Sequence, residues 1–496
     1  MLFNSIDFLI FFPIVTIAYF LIPHKFRYLW LLAASYYFYM CWNPKYALLM
    51  ATSTVITWAS GILIDRVNNK KNKTEQEKTK EKKLWVALSF ISNLAILFFF
   101  KYFDFALANV NAVLTQFNFE LIQPAFDVVL PVGISFYTFQ ALSYTVDIYR
   151  KEIYAEKNIL KYALFVSFFP QLVAGPIERS KNLLIQFNKE NHFDYDRVKN
   201  GLLLMLWGFF MKLVIADRVA MVVDQVYNNY AQYAGFEIAI ATVFFAIQIY
   251  CDFGSYSNIA IGAAQVMGFT LMENFRQPYF SKSVAEFWRR WHISLSSWFR
   301  DYLYIPLGGN RKGKVRKYIN LMIVFLTSGL WHGASWHFVV WGGLNGIYQI
   351  IGEVTKPYRN KLTSLLKINT QCFPYRIFQM AITFVLINIT WIFFRADNMS
   401  IAVSMLYSMV TVFNSEILFN GTLFKLGMGV EDFVAALISI AILWGVDFAH
   451  TKGSVRAWIG KRCLPVRWSI YYLGIFSIIL FGIYGVGESA FIYFQF

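Results

Sequence analysis

The 496-residue sequence predicts an all-α polytopic membrane protein of about eleven transmembrane helices with re-entrant segments between them. Three observations carry this. Hydrophobic residues make up 57% of the chain and charged ones only 15%, far from the balance of a soluble domain. Apolar segments long enough to approach or span a bilayer recur from end to end. The Lys and Arg residues behind a net charge of +16 are gathered into the loops between those segments.

The segments run in order 8–22, 28–42, 46–64, 84–100, 128–146, 234–251, 318–351, 377–394, 433–446 and 468–487. The opening stretch of the chain carries Asp7 just before the first segment and lacks a basic leader and a small-residue cleavage site, so it reads as a retained span rather than a signal peptide. The loop with His24, Lys25 and Arg27 is cytoplasmic by its charge. So is the stretch 65–83, with eight Lys/Arg against four acidic residues. That orientation puts the N terminus outside. Later basic loops, 352–376 and 450–467, put the C terminus outside as well.

Two stretches do not fit simple crossings. Between the basic runs 150–161 and 178–199 lies a short segment broken by Pro170 and Pro176, which reads as a re-entrant hairpin from the cytoplasmic side. Residues 276–317 hold ten basic and two acidic residues interleaved with Phe287, Trp288, Trp291, Trp298, Phe299, Tyr302 and Tyr304. Arginine alternating with tryptophan suits the headgroup interface. No internal repeat is visible, which weakens an inverted-repeat transporter, and the chain reads as one membrane domain.

Other classes lose support. Cys41, Cys251, Cys372 and Cys463 are scattered, with neither metal spacing nor a disulfide framework, and read as packing residues. There is no Gly-x-Ser-x-Gly elbow, Walker loop, His-Glu-x-x-His or dinucleotide fingerprint. Basic loops rather than a basic face point to anionic lipid headgroups, not nucleic acid.

The chemistry is expected at His332, in the apolar run Leu326-Thr-Ser-Gly-Leu-Trp331-His332-Gly333-Ala-Ser-Trp336-His337. An intramembrane ionisable residue is a functional hypothesis, and a neutral imidazole can accept a proton from a hydroxyl. The competing reading is a histidine hydrogen-bonded inside the bundle. Gly333, Ala334 and Ser335 leave room for another helix or an acyl chain. His337, five residues on, faces elsewhere, so a metal pair is not expected and no metal site is assigned. A helix starting near Ser283 would set Glu286 beside Arg289 and Arg290, with His292 and Ser296 further along the same face. Arg289, Arg290, Arg300 and Trp331 are candidates for holding a charged thioester donor, against the plainer reading of a positive-inside interfacial helix. Asp252, Ser255 and Asn258 read as interhelical hydrogen bonders, with Gly254 a candidate helix break. Asp147, Asp217, Arg395 and Asp397 read as solvated groups at membrane edges.

The run Arg276-Gln-Pro-Tyr-Phe-Ser-Lys-Ser-Val-Ala-Glu286-Phe-Trp-Arg289-Arg290-Trp-His292, its continuation through Arg300-Asp301 to Pro306-Leu-Gly-Gly309, and Leu330-Trp-His332-Gly resemble the membrane-bound O-acyltransferase family. The likeness extends over Pro131-Val-Gly-Ile-Ser-Phe136, Phe169-Pro-Gln-Leu-Val-Ala-Gly-Pro-Ile177 and the terminal Phe491-Ile-Tyr-Phe-Gln-Phe496, and is strongest to the bacterial branch serving alginate O-acetylation. The resemblance implies a bundle around a central funnel or tunnel in a bacterial inner membrane, with His332 and His292 in the family's two catalytic positions. It also implies an acyl group taken from a cytosolic donor, acetyl-CoA, with no bound cofactor, and passed toward an extracytoplasmic polysaccharide, where a separate acetyltransferase partner completes the transfer. D-alanyl transfer to teichoic acid from an acyl carrier protein is the alternative within the family. A transporter or lipid scaffold is the alternative outside it.

Overall fold

The computed structural model describes residues 1–124, 129–484 and 491–492. Among them every regular element is a helix, and they fall into two compact units: residues 1–205 with 259–272, and residues 206–258 with 273–496.

The first unit opens with α1 (Ile6–Leu21), α2 (His24–Met40), α3 (Pro44–Asn68), α4 (Glu75–Leu97) and α5 (Phe103–Gln116), the last two joined by a π-helical turn at Phe98–Tyr102. The helix starts are written in the sequence. Asn43 accepts from the Lys45 amide with Pro44 in the first turn, where its missing N–H costs nothing. Thr74 and Glu77 form a reciprocal capping box that starts α4 inside the charged stretch 65–83. That stretch is therefore two helix ends joined by a short turn rather than a long loop.

Next come α6 (Ile134–Tyr149), α7 (Ile159–Ser167), α8 (Ser180–Gln186) and α9 (Tyr195–Phe209), which runs on into the second unit. α6 is buried almost throughout and packs close to α3, where a Cβ on Gly61 would lie 2.6 Å from the Tyr144 ring. The proline-broken segment after α7 is non-helical and buried over 168–179. Buried backbone groups outside a helix need internal partners. Ser35 Oγ receives the Phe169 amide at 3.1 Å, and Gln140 and Gln171 both donate to the Phe165 carbonyl.

The second unit contains a π-helical stretch Phe210–Ala216, α10 (Asp217–Asn228) and most of α11 (Phe236–Met267), which is unbroken through Gly254, contrary to the break expected there. Gly254 is tolerated because propagation costs little once neighbouring turns are packed. Two short helices follow, α12 (Val284–Arg290) and α13 (Ile293–Phe299), then the hairpin α14 (Gly313–His332) and α15 (Trp336–Val354), α16 (Lys356–Leu365), α17 (Phe373–Arg395), α18 (Met399–Thr411), α19 (Val430–His450), α20 (Val455–Gly460) and α21 (Leu464–Phe481). Among the described residues, six helical stretches are long and apolar enough to cross a membrane: Pro44–Asn68, Glu75–Gln116, Phe236–Met267, Phe373–Arg395, Val430–His450 and Leu464–Phe481.

The α14/α15 hairpin positions the first candidate histidine. A Cβ on Gly329 would run into the Phe338 carbonyl and one on Gly342 into that of Phe325, so the backbones touch where only glycine fits. Gly342 and Gly346 repeat at four residues, which lines the small positions on one face of α15.

Candidate active site

His332 is the last residue of α14 and is 5% exposed. Its Nδ1 lies 2.7 Å from the Ser328 carbonyl oxygen. A carbonyl can only accept, so this contact places the imidazole proton on Nδ1. The ring is walled by Trp341, Trp331 and Phe394 at centroid distances of 4.8, 4.9 and 5.6 Å. The chain leaves the helix at Gly333, where a Cβ would strike the Phe338 ring. His337, across the break on α15, instead meets the Phe393 carbonyl through Nδ1 at 2.8 Å.

His292 is fully buried, and its ring centroid is 6.4 Å from that of His332. The rings of Phe253 on α11 and Trp331 lie 4.7 and 6.0 Å from it. The structure therefore brings together the two residues singled out from separate sequence motifs, together with Trp331.

How His292 arrives there differs from the sequence expectation. The helix from Ser283 stops at Arg290, and His292 has φ +44° and ψ 52°, in the left-handed region that cannot continue a right-handed helix. It thus leaves the face of Arg289 and Arg290. Ser283 still caps α12 through the Glu286 amide, and Arg290 reaches back to Glu286 at 2.6 Å, as the four-residue spacing predicted. Arg289 is exposed and donates to the Ala285 carbonyl. Arg300 is exposed as well, and its hydrogen bond to Asp301 raises its already high pKa.

The connection at His292 is held by residues that sequence reasoning passed over. The Asn274 carbonyl accepts the Ile293 amide at 3.0 Å, and the Arg290 carbonyl accepts the Arg276 amide at 2.9 Å. Asn274 Oδ1 accepts from Ser294 Oγ at 2.6 Å, and its Nδ2 donates to Ser257 Oγ at 2.9 Å. Trp288 on α12 donates to Asn345 Oδ1 on α15 at 3.0 Å, tying the His292 arm to the hairpin that carries His332. Asparagines spaced tens of residues from their partners leave no local pattern to read.

A second buried polar cluster surrounds Lys212, which is 2.7 Å from Asp252 and 2.9 Å from Asp217. Asp252 is thus an ion-pair partner as well as an interhelical hydrogen bonder, and Asp217 is buried rather than solvated. Asp147 also departs from the solvated reading, being fully buried with Ser180 Oγ 3.1 Å away. Arg395 is half-buried and paired with Asp224 at 2.8 Å, while Asp397 is exposed. In the first unit, Glu178 is buried, accepting from the Met272 amide and from Asn182, and burial raises its carboxyl to about 7.

Two buried histidines, one ending a glycine-packed helical hairpin and the other in the connection between α12 and α13, stand side by side in a chain of long apolar helices, an arrangement compatible with acid–base chemistry away from bulk water. Residues 3–396 match the membrane-bound O-acyltransferase family, and the chain belongs to that family and is an acyltransferase. A protein of Pseudomonas syringae pv. tomato named "Probable alginate O-acetylase" is 37% identical over 91% of this chain and 83% of its own length. A peptidoglycan O-acetyltransferase of Helicobacter pylori is 34% identical over 83% of this chain and 80% of its own. A teichoic acid D-alanyltransferase of Streptococcus thermophilus is 27% identical over 45% of this chain and 56% of its own.

Proposed function

We propose that this chain moves an acetyl group from a cytosolic donor, acetyl-CoA, across the membrane for O-acetylation of an extracytoplasmic polysaccharide, with His332 and His292 as its catalytic pair. The single observation that supports this most is the placement of His332, buried and oriented through Nδ1 on the Ser328 carbonyl, beside a second buried histidine. Relatives named for alginate and peptidoglycan O-acetylation support acetyl as the group and a glycan as the acceptor.

In this reading His332 Nε2 takes the proton of an acceptor hydroxyl while the hydroxyl oxygen attacks the thioester carbonyl. His292 donates a hydrogen bond to the carbonyl oxygen as negative charge develops there. The tetrahedral intermediate expels the thiolate, which recovers the proton from His332. The products are an acetyl ester and free CoA thiol, so atoms and charge balance. CoA carries charges too costly for hydrocarbon, so it docks on the cytoplasmic side at the 276–317 region, where Arg289 and Arg300 are exposed, with Arg290 and Trp331 completing the donor path. About eleven crossings around a central funnel, with both termini outside and a secreted or membrane-anchored acetyltransferase receiving the group, complete the proposed arrangement.

D-alanyl transfer from a carrier protein is less supported, since the D-alanyltransferase relatives are 27% and 24% identical over 45% and 51% of this chain, against 37% over 91% for the alginate O-acetylase relative. The test is radiolabelled acetyl-CoA supplied to sealed vesicles of either orientation. Labelling of polysaccharide from the cytoplasmic face alone supports the proposal. Labelling from the opposite face alone, or none without a charged carrier protein, refutes it.

A further inference from the structure

We propose that Asn274 is the positioning residue for His292, holding the imidazole against α11 at its working distance from His332. This rests on the reading of His292 as catalytic. Three observations converge. His292 occupies a left-handed backbone conformation that costs a non-glycine residue free energy and persists only when its surroundings over-determine it. Asn274 grips the backbone just beyond it twice, its own carbonyl accepting from the Ile293 amide and its Oδ1 from the Ser294 amide, and Oδ1 accepts from the Ser294 hydroxyl as well. Its remaining side-chain group, Nδ2, reaches Ser257, four residues after the Phe253 whose ring packs on His292, so both anchors lie on one face of α11.

Asn274 is 1% exposed, and Ser257 and Ser294 are buried with it. The Ser294 donors require an oxygen and the Ser257 oxygen can accept from an N–H, so the amide uses both its chemistries at once. Only a planar amide, or in part a carboxylate, satisfies that pair. Alanine removes both bonds, freeing the connection to relax from the left-handed turn and carry the imidazole away. A displacement of about 1 Å at a catalytic group costs about 100-fold in rate.

The test uses the full-length chain in membrane vesicles with radiolabelled acetyl-CoA, comparing wild type with Asn274→Ala, Asn274→Asp, Ser294→Ala and His292→Ala at matched protein. Asn274→Ala is expected to lower kcat about 100-fold while KM for acetyl-CoA stays within about two-fold. Asn274→Asp, which keeps the acceptor for Ser294, restores most of the rate. Ser294→Ala costs less, and its effect is non-additive with Asn274→Ala. Hydrogen exchange of the 288–298 segment, measured on the same proteins, is faster in Asn274→Ala. An active Asn274→Ala beside an inactive His292→Ala overturns this proposal alone, whereas an active His292→Ala overturns the catalytic reading beneath it. Unchanged exchange in Asn274→Ala overturns the positioning role even where wild-type vesicles transfer no label.

Discussion

His332 ends a long helix pressed against its neighbour through glycines, whereas His292 sits in a short connection gripped by polar side chains from distant parts of the chain. The first is held by shape. Gly329 and Gly342 let α14 and α15 meet backbone to backbone, and Trp341 and Phe394 wall the ring. The second is held by directional bonds, with Asn274 fixing the backbone and Phe253 the ring. Close packing tolerates no added atom but needs no specific partner, while a hydrogen-bonded turn tolerates rearrangement of bulk and fails when one acceptor is lost.

Three substitutions break or sharpen that contrast. Gly342→Leu forces a side chain into the Phe325 carbonyl and should separate the hairpin, costing about 3 kcal/mol or more and lowering the thermal midpoint in detergent more than any change at the His292 connection. An unchanged midpoint would mean the two helices do not depend on glycine contact. Trp288→Phe cuts the bond to Asn345 that joins the two halves of the site and leaves a buried acceptor. About 1–3 kcal/mol should be lost, with the activity falling further than the stability because the two histidines move apart; a larger fall in stability than in activity would place the bond in folding alone.

Glu178→Gln lies in the other unit and serves as the contrast case. The folded carboxyl titrates near 7 while an unfolded one does so near 4.5, so between those values the folded chain binds more protons. The wild type therefore loses stability as pH rises from about 4.5 to 7. Glu178→Gln should lose less over that window, with no change in transfer rate. Parallel melting curves for the two proteins across that range would show that the carboxyl is not raised.

The same contrast explains what the sequence disclosed. Trp331-His332-Gly333 was legible because an ionisable side chain in an apolar run followed by small residues violates the local pattern. The non-helical stretch at 168–179 was legible from Pro170 and Pro176. The interruption at His292 was not, since the three- and four-residue spacing of Glu286, Arg289 and Arg290 runs helically up to it, and Asn274, which bonds the residues just beyond the turn, is a tertiary partner. Lys212, an ionisable side chain inside the apolar run 201–216, was missed, and its partner Asp252 lies forty residues away in sequence. Asp147 and Asp217 looked like edge residues because charge near a segment end is usually solvated, and sequence carries no depth for a helix packed on all sides.

The most direct test of the central claim is acetyl transfer from radiolabelled acetyl-CoA to envelope polysaccharide by His332→Ala at matched membrane expression. Loss of a catalytic base predicts a fall of about 100- to 10,000-fold with insertion and thermal midpoint preserved. Labelling equal to wild type would contradict the assignment of His332 as the base.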